Sequence, residues 1–202
     1  VREPMDLAAL LDEALARSGY GACPGPDTRM GIAAVLHGTG FTGTGERDLH
    51  SSVRLERTAA GVRIVTAATE IGQGAHTVLP QIVAAEMGIP LEHVEMAPPD
   101  TAIAPDSGPT VASRTTMIAG GLLAEAARQL RSSNAASATV HYTPPAGSSF
   151  DEATYTGDAY PGFAWAVNVA TVTLDRQTGE ARVLDLVSVQ DAASQFAAPL
   201  LA

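Results

Sequence analysis

Residues 62 to 87, VRIVTAATEIGQGAHTVLPQIVAAEM, decide the fold by joining a β-rich run, a glycine turn and a helical pattern. Val62 to Ala68 predicts a strand, and Gly72-Gln73-Gly74 breaks it. From Thr77 to Met87 the apolar residues fall on one helical side, and Pro80 is expected in the first turn of that helix. The stretch therefore predicts a strand–turn–helix unit.

A second unit of the same kind follows in altered form. His93 to Ala97 predicts a strand, Pro98 to Pro109 a loop, and the residues from near Ser113 to Leu130 a helix. Gly120-Gly121 inside that helix costs about 1 kcal/mol per glycine relative to alanine. This cost indicates close packing of the helix against a neighbouring element or a ligand.

The flanking segments add one helix and several strands. The predicted helix is Asp6 to Ser18, and the predicted strands are Met30 to Gly38, Ser52 to Arg57, Tyr160 to Leu174 and Ala181 to Val189, the last two joined by the turn Asp175 to Glu180. Strands and helices mix without strict alternation. The expected fold class is therefore α+β: a layered mixed β-sheet with helices packed on one face, built from repeated strand–turn–helix units.

Composition excludes several functions. A formal net charge of -10 and a pI near 4.8 argue against a nucleic-acid partner. One cysteine, Cys23, and five scattered histidines predict no metal site made by this chain. No apolar run approaches the ~20 residues that span a membrane. No export signal is visible, so a cytoplasmic location is expected, with the periplasm as the alternative.

The first turn has the chemistry of a ligand site. A strand that leads through glycines into a helix N-terminus presents unpaired N–H groups and the positive end of the helix dipole. Gly72 and Gly74 allow positive φ and a close approach of backbone to ligand. Gln73 offers a donor and an acceptor to a flat heteroaromatic edge or an oxo group.

The second turn, Thr110 to Thr116, brings N–H groups and hydroxyls to the start of the long helix, and Arg114 adds a fork for phosphate. A single turn of either kind is more often structural than ligand-binding. The pair leaves a structural role and an anionic, hydrogen-bonding ligand about equally open.

Two strings resemble a known family: TEIGQGAHTVLPQIVAAEMGIP (Thr69 to Pro90) and DTAIAPDSGPTVASRTTMIAGGLL (Asp100 to Leu123). In sequence, order and separation they are similar to the molybdopterin-binding large subunit of the xanthine dehydrogenase and aldehyde oxidase family. The resemblance extends from about Met30 to Asp191. It implies that the cofactor is bound by Gly72, Gln73, Gly74, Ala112, Ser113, Arg114 and Thr115, with Gln73 acting through its side chain.

The resemblance also implies the wider chemistry. The cofactor is the molybdenum cofactor, as molybdopterin or its cytosine dinucleotide, and the reaction is hydroxylation of a small-molecule substrate. Electrons leave through iron–sulfur clusters and a flavin on partner domains or subunits, and the rest of the large subunit is a further partner. We assign no catalytic residue, because the family's glutamate base lies downstream of the matched region. Glu70 is expected to orient the glycine turn, and Glu86 to lie on a helix surface.

The predicted organisation has three parts. Residues 1–131 form the cofactor-binding subdomain with its N-terminal helix, 132–139 (SSNAASAT) a linker or join, and 140–202 a truncated remainder that contains the hairpin. The chain is expected to be a fragment that lacks turnover by itself. Two other functions stay open: a stand-alone nucleotide- or pterin-binding module, and a scaffold piece with empty turns.

Overall fold

The computed structural model describes residues 6–22, 25–144, 149–160 and 162–191. These residues divide into two compact units. The first lies within Val1–Gly38 and Gly162–Ser194, and the described part of the second lies within Thr39–Pro161. Cys23 and the end of the predicted remainder, residues 192–202, lie outside the described residues.

In chain order the main elements are α1 (Leu7–Ser18), β1 (Thr28–Thr39), α2 (Gly45–Asp48), β2 (Ser52–Arg57), β3 (Val62–Val65), α3 (Ala75–Met87), β4 (Val94–Met96), α4 (Gly120–Arg131), β5 (Ser137–His141), β6 (Phe150–Asp151), β7 (Thr156–Gly157), β8 (Gly162–Leu174) and β9 (Ala181–Asp191). A 3₁₀ turn, Leu91–His93, precedes β4, and a π-helical turn, Thr115–Ala119, leads into α4.

The first unit is a three-stranded sheet in the order β1-β8-β9, with α1 packed on β8 and β9. The predicted helix at the start of the chain is present as α1, and Asp6 is its N-cap, because the Asp6 carboxylate accepts the N–H of Ala9 at 2.9 Å. The predicted hairpin of β8 and β9 is also confirmed. At its turn the Asp175 carboxylate accepts the N–H groups of Gln177 and Thr178, at 2.8 and 3.1 Å.

The second unit carries a four-stranded sheet in the order β4-β3-β2-β5, in which β3 and β4 are parallel and the other pairs antiparallel. Alternation along β2 sorts its residues between the two faces. Val53 and Leu55 are fully buried against α3 and α4, whereas Arg54 pairs with Glu56 at 2.7 Å on the other face. The predicted α+β class, a mixed sheet with helices on one face, is confirmed.

Both predicted strand–turn–helix units are present. The first runs from β3 through the glycine turn into α3, and the second from β4 through a long loop into α4. One detail is wrong: α3 begins at Ala75, so Pro80 lies beyond its first turn. Because proline has no N–H, it removes the helical hydrogen bond that residue 80 would donate to the carbonyl of His76.

The segment 132–139, predicted as a linker or join, enters a strand. β5 begins at Ser137 and pairs with β2 in antiparallel register, so that Thr139 lies opposite Arg54. The backbone N–H of Arg57 donates to the carbonyl of Ala136 at 2.8 Å. The second half of this segment therefore belongs to the sheet of the second unit.

The two glycines of the second helical segment have different surroundings. A Cβ on Gly120 would lie 2.8 Å from Cδ1 of Ile82, which confirms that Gly120 lets α4 pack closely on α3. A Cβ on Gly121 would meet nothing within 4 Å. Only the first of the two glycines is therefore explained by packing.

We expect Gly121→Ala to raise the free energy of unfolding by about 0.5–1 kcal/mol, because alanine is the better helix former and its methyl group enters open space. Urea unfolding of the 202-residue chain measures this change. Gly120→Ala is the matched control: the same gain in helix propensity is offset there by the contact with Ile82. Equal gains at both positions would contradict the close contact.

Candidate functional site

The glycine turn has the backbone conformation that the sequence predicts. Gly72 has φ 103° and Gly74, which is the N-cap of α3, has φ 81°. Both values lie in a region that residues with a Cβ rarely adopt. A Cβ at either position would meet nothing within 4 Å. The glycines are therefore required by conformation, and the space beside them is open to a ligand.

The Glu70 carboxylate accepts hydrogen bonds from the backbone of this turn. Its Oε1 accepts the N–H groups of Gly72 at 2.7 Å and Gly74 at 3.1 Å, and its Oε2 accepts the N–H of His76 at 2.9 Å. The bond from His76, followed by those from Gly74 and Gly72, keeps the pKa of Glu70 below its ordinary value. These N–H groups at the start of α3, predicted as an anion site, are thus satisfied by an anion of the chain itself.

The Gln73 side chain folds back over the same turn. Its Oε1 accepts the N–H of Ile71 at 2.7 Å, and its Nε2 donates to the carbonyl of Thr69 at 2.8 Å. A primary amide has two N–H donors, so one donor of Gln73 is left after these bonds. Gln73 is solvent-exposed, and this donor can reach a ligand above the turn.

The second loop is strained at the predicted residues. Ala112 and Ser113 both have φ 53°, a left-handed conformation that is uncommon outside glycine. Such strain persists only where the surroundings hold it, and it concentrates at functional sites. The backbone N–H groups of Ala112 and Ser113 donate to no acceptor among the described residues. Both residues are exposed, so these donors are available to a ligand.

A π-helical turn begins at Thr115, two residues after Ser113, the second residue of the strained pair. π-helical turns are rare and frequent at functional sites. Thr115 is half-buried at the start of this turn. The strained loop and the π-helical turn are thus continuous, and together they keep residues 110–116 outside the regular helix α4.

The structure corrects the prediction for Arg114. Its guanidinium is 2% exposed and forms a bidentate ion pair with the buried Glu46, at 2.8 and 3.1 Å. The remaining donors go to the Ser51 hydroxyl and to the carbonyls of Ser107 and Pro109. All five N–H donors of the side chain are therefore used. The predicted phosphate fork is wrong for this side chain, which braces the loop instead.

Two glycines make room for this buried ion pair. A Cβ on Gly108 would lie 2.7 Å from Nη1 of Arg114, and a Cβ on Gly40 would lie 2.9 Å from Cγ of Glu46. The N–H of Gly40 also donates to the carbonyl of Ala112 at 2.9 Å. The glycine-rich loop upstream of β2 is thereby fastened to the strained loop.

Hydrogen bonds join the two loop segments that carry the predicted turns. The N–H of Thr69 donates to the hydroxyl of Thr110 at 2.9 Å, and the N–H of Ala67 donates to the hydroxyl of Ser107 at 2.9 Å. The Ser107 hydroxyl is also within 2.8 Å of the Thr66 hydroxyl. These bonds join the two loop segments beyond the end of β3, one leading into the glycine turn and the other into the strained loop.

The sequence patterns do not predict Glu46, Ser51 or Ser107 as parts of this site, and they include Thr110 only as the first residue of the second turn. Ser107 and Thr110 lie in a loop whose polar residues look interchangeable, and Glu46 looks like any acidic residue after a glycine-rich stretch. The predicted surface position of Glu86 agrees with its ion pair to Arg128 at 3.1 Å.

Neither a cluster of three metal-ligating side chains nor a helix long and apolar enough to cross a membrane occurs among the described residues. The donors of the candidate site are backbone N–H groups, hydroxyls and the Gln73 amide. Such donors suit an oxygen-rich anionic or heteroaromatic ligand.

The chain matches the family model of the molybdopterin cofactor-binding domain in two pieces, residues 22–139 and 132–196. It is 36% identical over 98 residues to the 6-hydroxypseudooxynicotine dehydrogenase complex subunit gamma of Paenarthrobacter nicotinovorans, covering 48% of this chain and 12% of that protein. It is 32% identical over 140 residues to the carbon monoxide dehydrogenase large chain of Hydrogenophaga pseudoflava, covering 64% of this chain and 17% of that protein.

Solved structures share the fold. The aldehyde oxidoreductase from Desulfovibrio desulfuricans superimposes with a TM-score of 0.75 at 18% identity, over 93% of this chain and 23% of that chain. Quinoline 2-oxidoreductase from Pseudomonas putida gives a TM-score of 0.70 at 18% identity, over 96% and 30% of the two chains. The chain thus spans a minor part of each relative.

Proposed function

Because the chain belongs to the molybdopterin cofactor-binding domain family, we propose that its two joined turns hold the pyranopterin and phosphate of the molybdenum cofactor in a molybdenum hydroxylase. The observation that carries this proposal is the hydrogen bond from the Thr69 N–H to the Thr110 hydroxyl at 2.9 Å. It joins the segments that lead into the glycine turn and the strained loop, and we propose that donors of both bind one ligand.

The donor set fits the cofactor. On one side we propose Gly72 and Gly74, whose open Cβ positions allow a flat ring to approach, and Gln73, whose remaining amide donor can bond a pterin or oxo edge. On the other side, three residues supply N–H groups and hydroxyls for the pyranopterin and its phosphate. These residues are Ala112, Ser113 and Thr115. Arg114 contributes by holding this loop in shape.

The cofactor, when bound, supplies the redox chemistry of substrate hydroxylation. The residues of this chain bind and orient it through neutral donors. The carboxylates of Glu70 and Glu86 already have partners within the chain. Glu70 accepts N–H groups of the glycine turn, and Glu86 forms an ion pair with Arg128. We accordingly propose no catalytic base from this chain and no turnover by the 202 residues alone.

The finer details extend the same proposal. We propose that the cofactor is molybdopterin or its cytosine dinucleotide, and that iron–sulfur clusters and a flavin reside on partner domains or subunits. The relatives' descriptions as a complex subunit and a large chain support such an assembly. The substrate is a small molecule, and a cytoplasmic location stays a prediction.

We also propose that residues 132–139 mark a join between two parts of the family domain. The two matched pieces overlap in these eight residues, which is what a shortened connection produces. Residues 1–131 and 140–202 would then be two portions of one cofactor-binding region. A longer connecting segment in the intact gene product would agree with this proposal.

Molybdenum analysis of the intact gene product tests the function. We expect about one molybdenum and one releasable pterin per polypeptide. Protein that carries neither contradicts the hydroxylase. It would leave a stand-alone nucleotide- or pterin-binding module, which thermal shift with nucleotides detects, or a scaffold with empty turns.

We expect Gln73→Ala in the intact protein to lower molybdenum content and activity while changing the free energy of unfolding by about 1 kcal/mol or less, because the side chain is exposed and makes only local hydrogen bonds. Gln177→Ala, at the exposed turn between β8 and β9, is the matched control and should retain full cofactor. Unchanged molybdenum and activity in Gln73→Ala would remove this residue from the site.

A further inference from the structure

We propose that Glu70 is a positioning residue for the cofactor: its carboxylate fixes the glycine turn in the shape that presents Gln73, and it takes the place of an anionic ligand at the start of α3. The inference rests on the proposed function, because it concerns the same site. With Glu70 bound to its N–H groups, the glycine turn positions Gln73 and does not bind the phosphate. The phosphate then binds at the strained second loop, away from the N-terminus of α3.

The Glu70 carboxylate is bonded to three backbone N–H groups of the glycine turn and the start of α3. Both carboxylate oxygens accept backbone N–H groups, from Gly72 and Gly74 on Oε1 and from His76 on Oε2, at 2.7, 3.1 and 2.9 Å. A negative charge at this position also complements the positive end of the helix dipole. A phosphate would have to displace this carboxylate to use the same N–H groups.

Gln73 completes the arrangement from the other side of the turn. Its amide oxygen accepts the N–H of Ile71, and its nitrogen donates to the carbonyl of Thr69. The N–H groups of residues 71, 72, 74 and 76 are thus all held by two side chains, Glu70 and Gln73. A turn fixed in this way loses little entropy when a ligand binds. Without the carboxylate, the N–H groups of Gly72 and Gly74 have no fixed acceptor, and we expect the turn that carries Gln73 to change shape.

The second loop has backbone N–H donors that are not bonded to Glu70 or Gln73. The N–H groups of Ala112 and Ser113 donate to no acceptor among the described residues, although both residues are held in a strained conformation. They are available donors of the site, as is the remaining amide donor of Gln73, whereas the N–H groups that face Glu70 are taken. The two halves therefore divide the work: the glycine turn bonds the ring system and the strained loop bonds the phosphate.

The test compares Glu70→Gln and Glu70→Ala in the intact protein. Glutamine keeps one oxygen acceptor for Gly72 and Gly74 but turns an NH₂ group towards the N–H of His76, whereas alanine removes all three bonds. We expect cofactor content to fall in the order wild type, Glu70→Gln, Glu70→Ala. Retention should be roughly 10-fold weaker in Glu70→Ala, the usual effect of removing a residue that orients a ligand-binding side chain. Partial rescue by glutamine distinguishes positioning from general stability.

Three measurements are made on each variant: molybdenum and pterin per polypeptide, the melting temperature, and hydrogen exchange of the peptide that spans residues 69–77. Exchange should speed up in this peptide in proportion to cofactor loss. Glu92→Gln and Glu92→Ala are the controls, since Glu92 is exposed and gives the same charge change near the other end of α3. These two should retain wild-type cofactor and wild-type exchange.

The outcomes separate the two proposals. Faster exchange in Glu70→Ala together with wild-type cofactor content overturns the positioning role and leaves the proposed function standing. Unchanged exchange also overturns it, because Glu70 would then not hold the turn. Wild-type protein without molybdenum or pterin refutes the proposed function, and the exchange data alone still show whether Glu70 fixes the turn.

Discussion

We expect Arg114→Met to lower the free energy of unfolding by about 3–5 kcal/mol, the usual cost of leaving one partner of a buried ion pair behind. Glu46 is only 5% exposed at its side chain, and without the guanidinium its charge has no cationic partner at that site. The carbonyls of Ser107 and Pro109 lose their donors at the same time. Urea unfolding of the chain measures the loss.

The double variant Glu46→Met with Arg114→Met provides the first control. It removes both charges and leaves apolar groups of similar size, so most of the lost stability should return. Arg128→Met is the second control, because its ion pairs with Glu86 and Glu125 are largely exposed and contribute about 1 kcal/mol or less. A loss at Arg114 no larger than that at Arg128 would show that the ion pair does not brace the loop.

Arg114 also shows the limit of prediction from sequence. A guanidinium offers the same fork to a phosphate and to a carboxylate, so the residue type alone cannot decide between them. Its partner, Glu46, lies 68 residues earlier in the chain, after a glycine-rich loop. Only the fold brings the two together.

The glycine turn could be predicted further, because its physics is local. Positive φ at Gly72 and Gly74 follows from a sharp turn between a strand and a helix, and the structure has both. Glu70 reaches N–H groups only two, four and six residues ahead, so its expected part in orienting the turn needed no distant partner. What the sequence could not show is that Glu70 fills the anion position at the start of α3.

The second loop lies between these cases. Its hydroxyls and N–H groups are evident from the residues themselves, but Ala112 and Ser113 give no sign of a left-handed backbone. That conformation is imposed by the contacts of the loop. The carbonyl of Ala112 accepts the N–H of Gly40, and the Arg114 side chain bonds Glu46 and the carbonyls of Ser107 and Pro109. Strain of this origin is a property of the assembled fold.

Gly72→Val and Gly74→Val should each abolish most cofactor retention in the intact protein while lowering the free energy of unfolding by roughly 1–3 kcal/mol. The backbone at φ 103° and 81° disfavours a β-branched residue, so the turn must change shape. The new side chain also enters the open space where the ring is proposed to lie. Molybdenum and pterin per polypeptide, measured beside the melting temperature, give both effects.

Gly88→Val provides the matched comparison at the other end of α3. Gly88 has φ 69° and equally open space at its Cβ, so valine imposes similar backbone strain there and a similar loss of stability. Its position after the last turn of the helix is remote from the glycine turn, and cofactor content should therefore stay at the wild-type level. Equal cofactor loss in all three variants would mean that stability alone governs retention, and that the glycine turn is structural. Selective loss at Gly72 and Gly74 is the result that a cofactor-binding turn requires.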